Sequence, residues 1–160
     1  MASTVIFRNA KDSELHKVSK LMCDTICTLS FYNTKARKAF AAEVEYSELL
    51  KRLRKDKKSI FVAIVDGKIV GVMTTVADNS LLWLDWMIVG KAYRNKEIGS
   101  SLMEYVLRFA KLTGVKKVWG DSRTSNSAAI HVLRKLGFSA VCTLEKHWYG
   151  QDYIIWEKFT

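Results

Sequence analysis

The chain has 160 residues, of which 49% are hydrophobic and 26% charged, with eight glycines and no proline. This is the composition of one globular domain, and it excludes a collagen-like, low-complexity or disordered chain. Lys and Arg outnumber Asp and Glu by 26 to 16, for a formal net charge of +10, which favours an anionic partner: nucleic acid, an acidic membrane or a phosphate-bearing small molecule.

The N-terminal third of the chain predicts one strand and two helices. A short strand at Thr4–Arg8 is followed by a helix that Asp12 or Ser13 caps. Apolar residues continue at helical spacing to about Leu29. After a polar break, a second helix is predicted over about 35–55, because its apolar residues lie on one stripe.

The middle of the chain predicts three strands. The β-branched runs Ile60–Val65 and Ile69–Val76 are separated by Asp66-Gly67. This dipeptide favours a type I′ turn, so the two runs should form an antiparallel hairpin. Leu81–Val89 follows and is apolar on both faces, as expected of a central strand that helices cover.

The C-terminal part predicts two helices and three further strands. One helix begins at Ile98 and ends before Gly114, and Val115–Trp119 is a strand. Asn126 is a good N-cap for the next helix, which Gly137 closes. The last two strands are Phe138–Thr143 and Tyr153–Lys158.

The predicted fold is therefore α/β (α+β), in the order β-α-α-β-β-β-α-β-α-β-β, as a single domain over residues 1–160. It contains one mixed, mostly antiparallel sheet of about seven strands with helices on both faces. The crossover through the helix at 98–113 makes the strands 81–89 and 115–120 parallel. Ligands of open α/β sheets bind beyond the carboxyl ends of such strands, which here is the loop 90–97.

Membrane, secretory and metal-binding functions find no support. The longest apolar run, Leu81–Val89, is far shorter than the ~20 residues of a transmembrane helix, and residues 1–11 lack a secretory signal. The cysteines at 23, 27 and 142 are an odd number, and Cys23 and Cys27 lack the partners of a zinc site. We therefore expect a cytoplasmic protein with reduced thiols and no metal, in which Cys23 and Cys27 are simply buried.

Two segments carry the excess of positive charge. Lys51–Lys58 has six basic residues and one Asp, and is most simply a solvated helix end. Residues 91–135 have ten basic residues and three acidic ones around a predicted helix start. A helix start offers unpaired N–H groups to phosphate, although neither a Walker A nor a dinucleotide-binding glycine motif is present.

Two blocks of sequence resemble the GNAT superfamily of N-acetyltransferases. Residues 89–102, which read VGKAYRNKEIGSSL, are similar to the acyl-CoA loop of the family: Arg or Gln, two residues, Gly, one residue, then Gly or Ala. Residues 126–130 and 135–138, NSAAI and KLGF, are similar to its later pattern. The blocks occur in the family's order and separation, so together they are a strong signal.

The resemblance implies that the chain transfers an acetyl group from acetyl-CoA to a primary amine by direct attack in a ternary complex. It implies that Asn126 and the backbone of Met87, Ile88 and Val89 hold the pantetheine arm, although Asn126 also serves as a helix cap. It further implies that the pyrophosphate lies on main-chain amides of Arg94, Asn95, Lys96, Glu97, Ile98, Gly99 and Ser100.

The chain departs from the family pattern at two positions. Glu97 replaces the first glycine, and a carboxylate ~5 Å from a phosphate costs about 0.8 kcal/mol in water and roughly 3 kcal/mol at an effective dielectric of 20. We therefore expect the Glu97 side chain to point outward. Its backbone N–H can still reach the phosphate if the loop does not need a positive φ at this residue. Leu133 stands where many members carry a Tyr that protonates the departing thiolate. Water, Tyr149 and Tyr153 are the candidates to protonate the thiolate in its place.

Asp85 is the first candidate for the general base. It lies among Trp residues in the middle of a strand, where burial raises the pKa of a carboxyl. It shares strand parity with Met87 and Val89, so it should face the cofactor side. The alternative is an acid paired with an Arg or a hydroxyl. His147 is a second candidate, relaying a proton through water, unless it is simply a surface residue.

Two other functions are compatible with the same residues. Glu97 and Leu133 allow a degenerate acyl-CoA-binding module without turnover, and the net charge of +10 allows a basic nucleic-acid-binding domain. The chain lacks an RNP-type aromatic motif and a recognition-helix signature, which argues against nucleic acid.

The sequence does not identify the acceptor, which is left open between a small amine, a peptide N-terminus and a lysine. Residues 28–34, which would shape the acceptor site, hold no charge that would attract a polyamine. A homodimer is also left open.

Overall fold

The computed structural model describes residues 4–160, which form one seven-stranded sheet with helices on both faces. The strands are β1 (Val5–Asn9), β2 (Ile60–Val65), β3 (Lys68–Asp78), β4 (Leu81–Val89), β5 (Lys117–Arg123), β6 (Ser139–Leu144) and β7 (Tyr153–Phe159). The helices are α1 (Leu15–Ile26), α2 (Thr34–Glu43), α3 (Tyr46–Lys55), α4 (Ile98–Leu112) and α5 (Ser127–Lys135). Within this part of the chain, no helix has the length and apolarity to cross a membrane.

The sheet has the mixed topology that the sequence predicts. Its strand order is β1-β2-β3-β4-β5-β7-β6. Among the strands of residues 4–160, only β4 and β5 pair in parallel, and the other neighbours are antiparallel. One core lies between the sheet and α4 with α5, and the other lies between the sheet and α1 to α3. The predicted fold class is thereby confirmed, and residues 1–3 of the predicted domain lie outside the described residues.

Local turn chemistry is also confirmed. Asp66 and Gly67 have φ values of 48° and 74°, as a type I′ turn requires between β2 and β3. Gly114 and Gly137 have φ values of 81° and 79° and follow the ends of α4 and α5. The left-handed conformation favours glycine at both positions.

The single helix predicted over 35–55 is wrong, because the chain breaks between α2 and α3. The backbone of Val44 is no longer helical, with φ at −112° and ψ at 13°, and Glu45 is extended with ψ at 155°. The break lets Val44, Leu49 and Leu53 enter the same core, each with at most 3% of its surface exposed. One continuous helix would direct part of this set away from the sheet.

The cysteines are less buried than expected. Cys23 is partly buried in α1, but Cys27, which follows the end of α1, and Cys142 of β6 are exposed. Helix α1 ends at Ile26, three residues before the predicted end. The position of Cys27 beyond the helix removes it from the apolar stripe, so the expectation of burial is wrong there. Cys142 is exposed because β6 is an edge strand with a solvent-facing surface.

Strand β5 begins two residues after the predicted start and ends four residues after the predicted end. Its inward positions beyond Trp119 are Gly120 and Ser122, which carry no apolar signal. Ser122 is buried all the same, because its hydroxyl accepts a hydrogen bond from Trp156 Nε1 at 2.9 Å. The extension places Asp121 within the strand, on the face opposite to Ser122.

Candidate active site

A cleft opens where the two parallel strands separate. β4 and β5 pair from Leu81 with Lys117 to Leu84 with Gly120, and no further. Gly120 permits the last close contact, because a Cβ at this position would lie 3.0 Å from the carbonyl oxygen of Leu84. Beyond this pair lies a cavity of about 100 Å³, lined by residues of β4, β5 and α5 and of the loop after α1.

A β-bulge bends β4 at the same point. The register with β3 passes directly from Thr75 opposite Leu84 to Thr74 opposite Trp86. Asp85 therefore has no opposite residue and is the extra residue of the bulge. A bulge increases the local twist and redirects the strand, so β4 diverges from β5 immediately after their last pair.

The bulge places Asp85 on the side opposite to the predicted cofactor contacts, so the expectation from strand parity is wrong. Met87 and Val89 pack against the α4 core. Asp85 instead faces α3, where its Oδ2 accepts a hydrogen bond from Arg52 Nη2 at 2.5 Å and one from Thr74 Oγ1 at 3.2 Å. The extra residue interrupts the alternation of faces. Asp85 lines the cavity as an ion-paired acid, which is the alternative that the sequence left open.

Main-chain groups at the end of β4 alternate between β3 and the cleft. Gly90 donates its N–H to a carbonyl of β3 at 2.9 Å. By the alternation of an antiparallel ladder, Ile88 also bonds to β3, while the N–H and C=O groups of Met87 and Val89 face the cleft. Arg94 Nε donates to the carbonyl of Val89 at 3.1 Å. The backbone of Met87 is thus open to a ligand, whereas that of Ile88 is not.

The loop before α4 exposes the positive end of a helix. Asn95 and Glu97 have left-handed φ values of 59° and 58°, and α4 begins at Ile98. The first N–H groups of a helix have no partner within it and carry the positive end of its dipole. A Cβ on Gly99 would lie 3.4 Å from Val89 Cγ2, so this glycine serves mainly the packing of α4 on β4. The other predicted loop residues flank the same turn: Arg94, Lys96 and Ser100.

Glu97 points outward, as expected, but its backbone takes the conformation that a glycine prefers. Its carboxylate is 77% exposed and lies 3.1 Å from Lys135 Nζ of α5. The condition set for its amide, that the backbone should not need positive φ, is not met, because Glu97 has a φ of 58°. A left-handed non-glycine residue costs ~1–2 kcal/mol, and the Glu97 side chain then points toward Lys135 and away from the helix start.

We expect the pair of Glu97 and Lys135 to control the affinity for coenzyme A. Lys135→Ala should weaken binding severalfold, because the released carboxylate can approach the helix start. Glu97→Gly should strengthen binding and abolish the effect of Lys135→Ala in the double variant. Calorimetric dissociation constants for coenzyme A at low salt measure both effects. If Lys135→Ala weakens binding equally in the Glu97→Gly background, Lys135 acts on the ligand directly and the explanation fails.

Asn126 caps α5, as predicted. Its side-chain oxygen accepts a hydrogen bond from the N–H of Ala129 at 3.2 Å, and the residue also lines the cavity. Asn126 therefore both caps α5 and borders the cleft. Leu133 of the same helix is buried and lines the cavity too, so α5 supplies an apolar wall and not a proton donor.

Substitutions at Asn126 should separate its two roles. Asn126→Ala should lower the free energy of unfolding by ~1 kcal/mol, the usual effect of losing an N-cap. Asn126→Asp keeps the cap and should leave the stability nearly unchanged. Denaturant unfolding of both variants measures the difference. An equal loss in the two variants would show that the hydrogen bond to Ala129 does not stabilise the helix.

Asp121 is the carboxylate that sequence reasoning missed. It lies on β5 at the cavity, and no residue in 4–160 donates a hydrogen bond to it. Burial, with a smaller effect of the Asp85 charge, raises the pKa of Asp121 to about 7. A carboxyl with such a pKa accepts a proton efficiently near neutral pH. No apolar alternation in the sequence placed Asp121 in the strand, because its neighbours Gly120 and Ser122 are buried without being large apolar residues.

His147 lies outside the cavity. It is an exposed residue of the loop between β6 and β7, where its ring contacts that of Trp148 at 4.1 Å between centroids. Its backbone N–H donates to the carbonyl of Gln151 at 2.9 Å. The structure thus brings Asp85, Asp121 and Asn126 together around the cavity and leaves His147 in the loop at its side.

The open sheet, its cleft between parallel strands and the helix start beside that cleft form a site that suits a phosphate-bearing ligand. The model of the acetyltransferase (GNAT) family matches residues 24–138. The chain belongs to this family, and the resemblance of the two sequence blocks is confirmed.

Known relatives agree with this assignment. An N-alpha-acetyltransferase of Sulfurisphaera tokodaii is 29% identical over 72% of this chain and 78% of its own length. A streptothricin acetyltransferase of Streptomyces lavendulae is 34% identical over 56% of this chain, which spans only 48% of that relative. The PaiA N-acetyltransferase of Thermoplasma acidophilum, solved with coenzyme A, has a TM-score of 0.84, 17% identity and coverage of 98% and 99% of the two chains. At 17% identity, the similarity to this last structure shows a shared fold alone.

Proposed function

We propose that this chain transfers the acetyl group of acetyl-CoA to a primary amine, and that Asp121 is the general base. The observation that carries the proposal is the unpartnered carboxylate of Asp121 in the cleft between β4 and β5. A base must reach the proton that it removes and must be deprotonated near the working pH. Asp85 fits the role less well, because Arg52 already holds its carboxylate.

The co-substrate would lie across the cleft with its diphosphate at the start of α4. The amides from Arg94 to Ser100 and the cations of Arg94 and Lys96 suit a phosphate-bearing ligand. The pantetheine arm would follow the cleft-facing backbone of Met87 and Val89 toward Asn126. Solved relatives in complex with coenzyme A and with acetyl-CoA support this choice of co-substrate.

The reaction needs one proton acceptor and one aligned pair of reactants. Asp121 takes a proton from the ammonium, and the freed amine forms a C–N bond to the thioester carbonyl carbon as the C–S bond breaks. The second amine proton leaves with the thiolate, so an amide and a free thiol result. A cleft-facing N–H at Met87–Val89 can stabilise the oxyanion. Leu133 offers no acid, which a thiolate leaving group tolerates.

Release of free thiol tests the proposed reaction. Incubation of the chain with acetyl-CoA and a panel of amines should release thiol in proportion to time and protein, and only with both substrates present. Calorimetric binding of coenzyme A without thiol release from any amine would favour the module without turnover. A cytoplasmic location stays a prediction, and a homodimer stays open.

A further inference from the structure

One wall of the cavity comes from a loop without regular structure. Residues 27–33, the α1–α2 loop, join α1 to α2 and lie in neither a helix nor a strand. Leu29, Phe31 and Tyr32 of this loop line the cavity together with Asp121 of β5. A loop has fewer backbone hydrogen bonds than a helix or a strand, so other contacts must fix its position. The shape of the cavity beside Asp121 therefore depends on what holds this loop.

Arg123 ties the α1–α2 loop to the end of β5. It is the last residue of β5, and its Nε donates a hydrogen bond to the carbonyl oxygen of Phe31 at 3.0 Å. Nη1 of the same guanidinium donates to the carbonyl oxygen of Asp152, in the β6–β7 loop (residues 145–152). The planar fork of an arginine fixes two acceptors at once. One side chain thus joins two loops to the strand that carries Asp121.

The β6–β7 loop holds the same carbonyl group. Gln151 Nε2 donates to the carbonyl oxygen of Phe31 at 3.2 Å, and Gln151 Oε1 accepts a hydrogen bond from the N–H of Asn33 at 3.2 Å. Asn33 Nδ2 donates to the carbonyl oxygen of Tyr149 at 3.0 Å. Asn33 and Gln151 lie outside the set of residues that line the cavity. Their hydrogen bonds therefore support the loop and not a ligand.

Arg123 lies beside Asp121 without pairing with it. The two residues are two positions apart on β5, so their side chains share one face of the strand. The guanidinium carbon of Arg123 lies 5.3 Å from the ring centroid of Tyr153, the residue opposite Arg123 on β7. Two carbonyl groups and this ring thus engage the guanidinium. These contacts orient Arg123 toward the loops and not toward the carboxylate.

We infer that Arg123 is a positioning residue for the acceptor, because it holds the α1–α2 loop as the wall of the cleft beside Asp121. This inference rests on the proposed acetyl transfer and adds to it a residue that acts through the carbonyl group of Phe31. The acceptor amine must reach Asp121 beside this wall, whereas the pantetheine arm follows the backbone of β4. Loss of the hydrogen bonds therefore changes the binding of the acceptor and leaves the co-substrate site intact.

Steady-state kinetics of Arg123→Met test the inference. Methionine is long and flexible enough to pack on the ring of Tyr153, but it has no hydrogen-bond donor. For the best amine of the panel, KM should rise and kcat/KM should fall by ~10–10²-fold, as a displacement of ~1 Å does. KM for acetyl-CoA should stay unchanged. An unchanged KM for the amine, or an equal rise in both KM values, overturns the inference.

Arg8→Met is the matched control for a general loss of stability. Arg8 is also partly buried, and it forms an ion pair with Glu14 at 2.6 Å on the edge strand β1. Its replacement should lower the melting temperature and leave both KM values unchanged. If Arg8→Met raises KM for the amine as much as Arg123→Met does, the effect is one of stability and the inference is overturned.

The pH profile separates positioning from an effect of charge. In the wild type, kcat/KM should rise through the pKa of Asp121, about 7. If Arg123 acted through its charge, its removal would raise the pKa of Asp121 and shift the rising limb to higher pH. Positioning instead lowers the whole profile and leaves the limb in place. A shift of the limb by ~1 pH unit or more overturns the inference.

A double variant tests whether Arg123 acts through the carbonyl group of Phe31. Gln151→Met removes the second donor to this oxygen and should also raise KM for the amine. The two effects should not multiply in the double variant, because both side chains hold one group. A double variant whose effect equals the product of the single effects overturns the shared role.

Hydrogen exchange measures the loop independently of catalysis. Backbone amides of residues 27–33 should exchange severalfold faster in Arg123→Met than in the wild type or Arg8→Met, with α4 unchanged. Unchanged exchange in the loop overturns the inference, even where thiol release supports the proposed function. If the wild type releases no thiol with any amine, the proposed function fails, and exchange alone decides whether Arg123 holds the loop.

Discussion

Replacing Asp121 with Asn is expected to lower kcat/KM by ~10²–10⁴-fold, the usual contribution of a general base. The affinity for coenzyme A should stay unchanged, because the start of α4 lies apart from this carboxylate. The rising limb of the pH profile near pH 7 should disappear, since it reflects the pKa of Asp121. Asn has nearly the same shape as Asp, so the variant removes the charge with little change in packing.

The same variant should be more stable than the wild type at pH 8. The pKa of Asp121 rises from 3.8 to about 7 on folding, so the folded protein binds the proton more tightly than the unfolded chain. The charged carboxylate therefore destabilises the fold above pH 7, by ~2–4 kcal/mol. The relative stability of the wild type is greatest below pH 4 and is lost as the pH rises toward 7.

Melting curves between pH 4 and pH 8 measure this effect. The gain in melting temperature for Asp121→Asn should be large at pH 8 and should vanish near pH 4. Asp78→Asn is a matched control, because Asp78 is exposed at the end of β3. Activity above one tenth of the wild type in Asp121→Asn would exclude Asp121 as the base. A gain that does not vary with pH would exclude the buried charge as its cause.

Gly120→Ala is expected to damage both stability and activity. The added Cβ would lie 3.0 Å from the carbonyl oxygen of Leu84 and 3.2 Å from its Cβ. Backbone cannot move aside as a flexible side chain does, so β4 and β5 must separate at their last pair. Such overpacking costs ~1–3 kcal/mol. A displacement of the cleft by ~1 Å can lower the rate 10²-fold through lost alignment.

Gly90→Ala provides the matched control. A Cβ at Gly90 meets only Leu21 Cδ1 at 3.4 Å and more distant atoms, and its φ of −55° suits alanine. Its stability and its kcat/KM should remain near those of the wild type. Denaturant unfolding and steady-state kinetics of the two variants are compared. If Gly120→Ala behaves like Gly90→Ala, close contact of the strands is not required.

Local sequence signals predicted much of this fold. The turn at Asp66-Gly67 and the cap at Asn126 follow from the geometry of a few adjacent residues. The parallel pairing of β4 with β5 follows from the helix between them. The start of α4 also follows from the change of period at Ile98. Each of these features depends on neighbouring residues, so one sequence suffices to predict it.

Features that depend on tertiary contacts were not predictable in the same way. The chain breaks after Glu43 so that Val44 is buried against the sheet. No glycine or proline marks this break in the sequence. The bulge at Asp85 appears only in the register with β3. Asp121 was overlooked because the strand seemed to end at Trp119, and its carboxylate gains its chemistry from distant residues that bury it.

The bulge at Asp85 keeps the cleft open with a single extra residue. Leu84 and Trp86 already face opposite layers and oppose consecutive residues of β3, so excising Asp85 alone would leave a regular hairpin with every other side chain in place. A variant without Asp85 is expected to keep both layers, with β4 continuing beside β5 past Leu84 and Gly120 and narrowing the cleft.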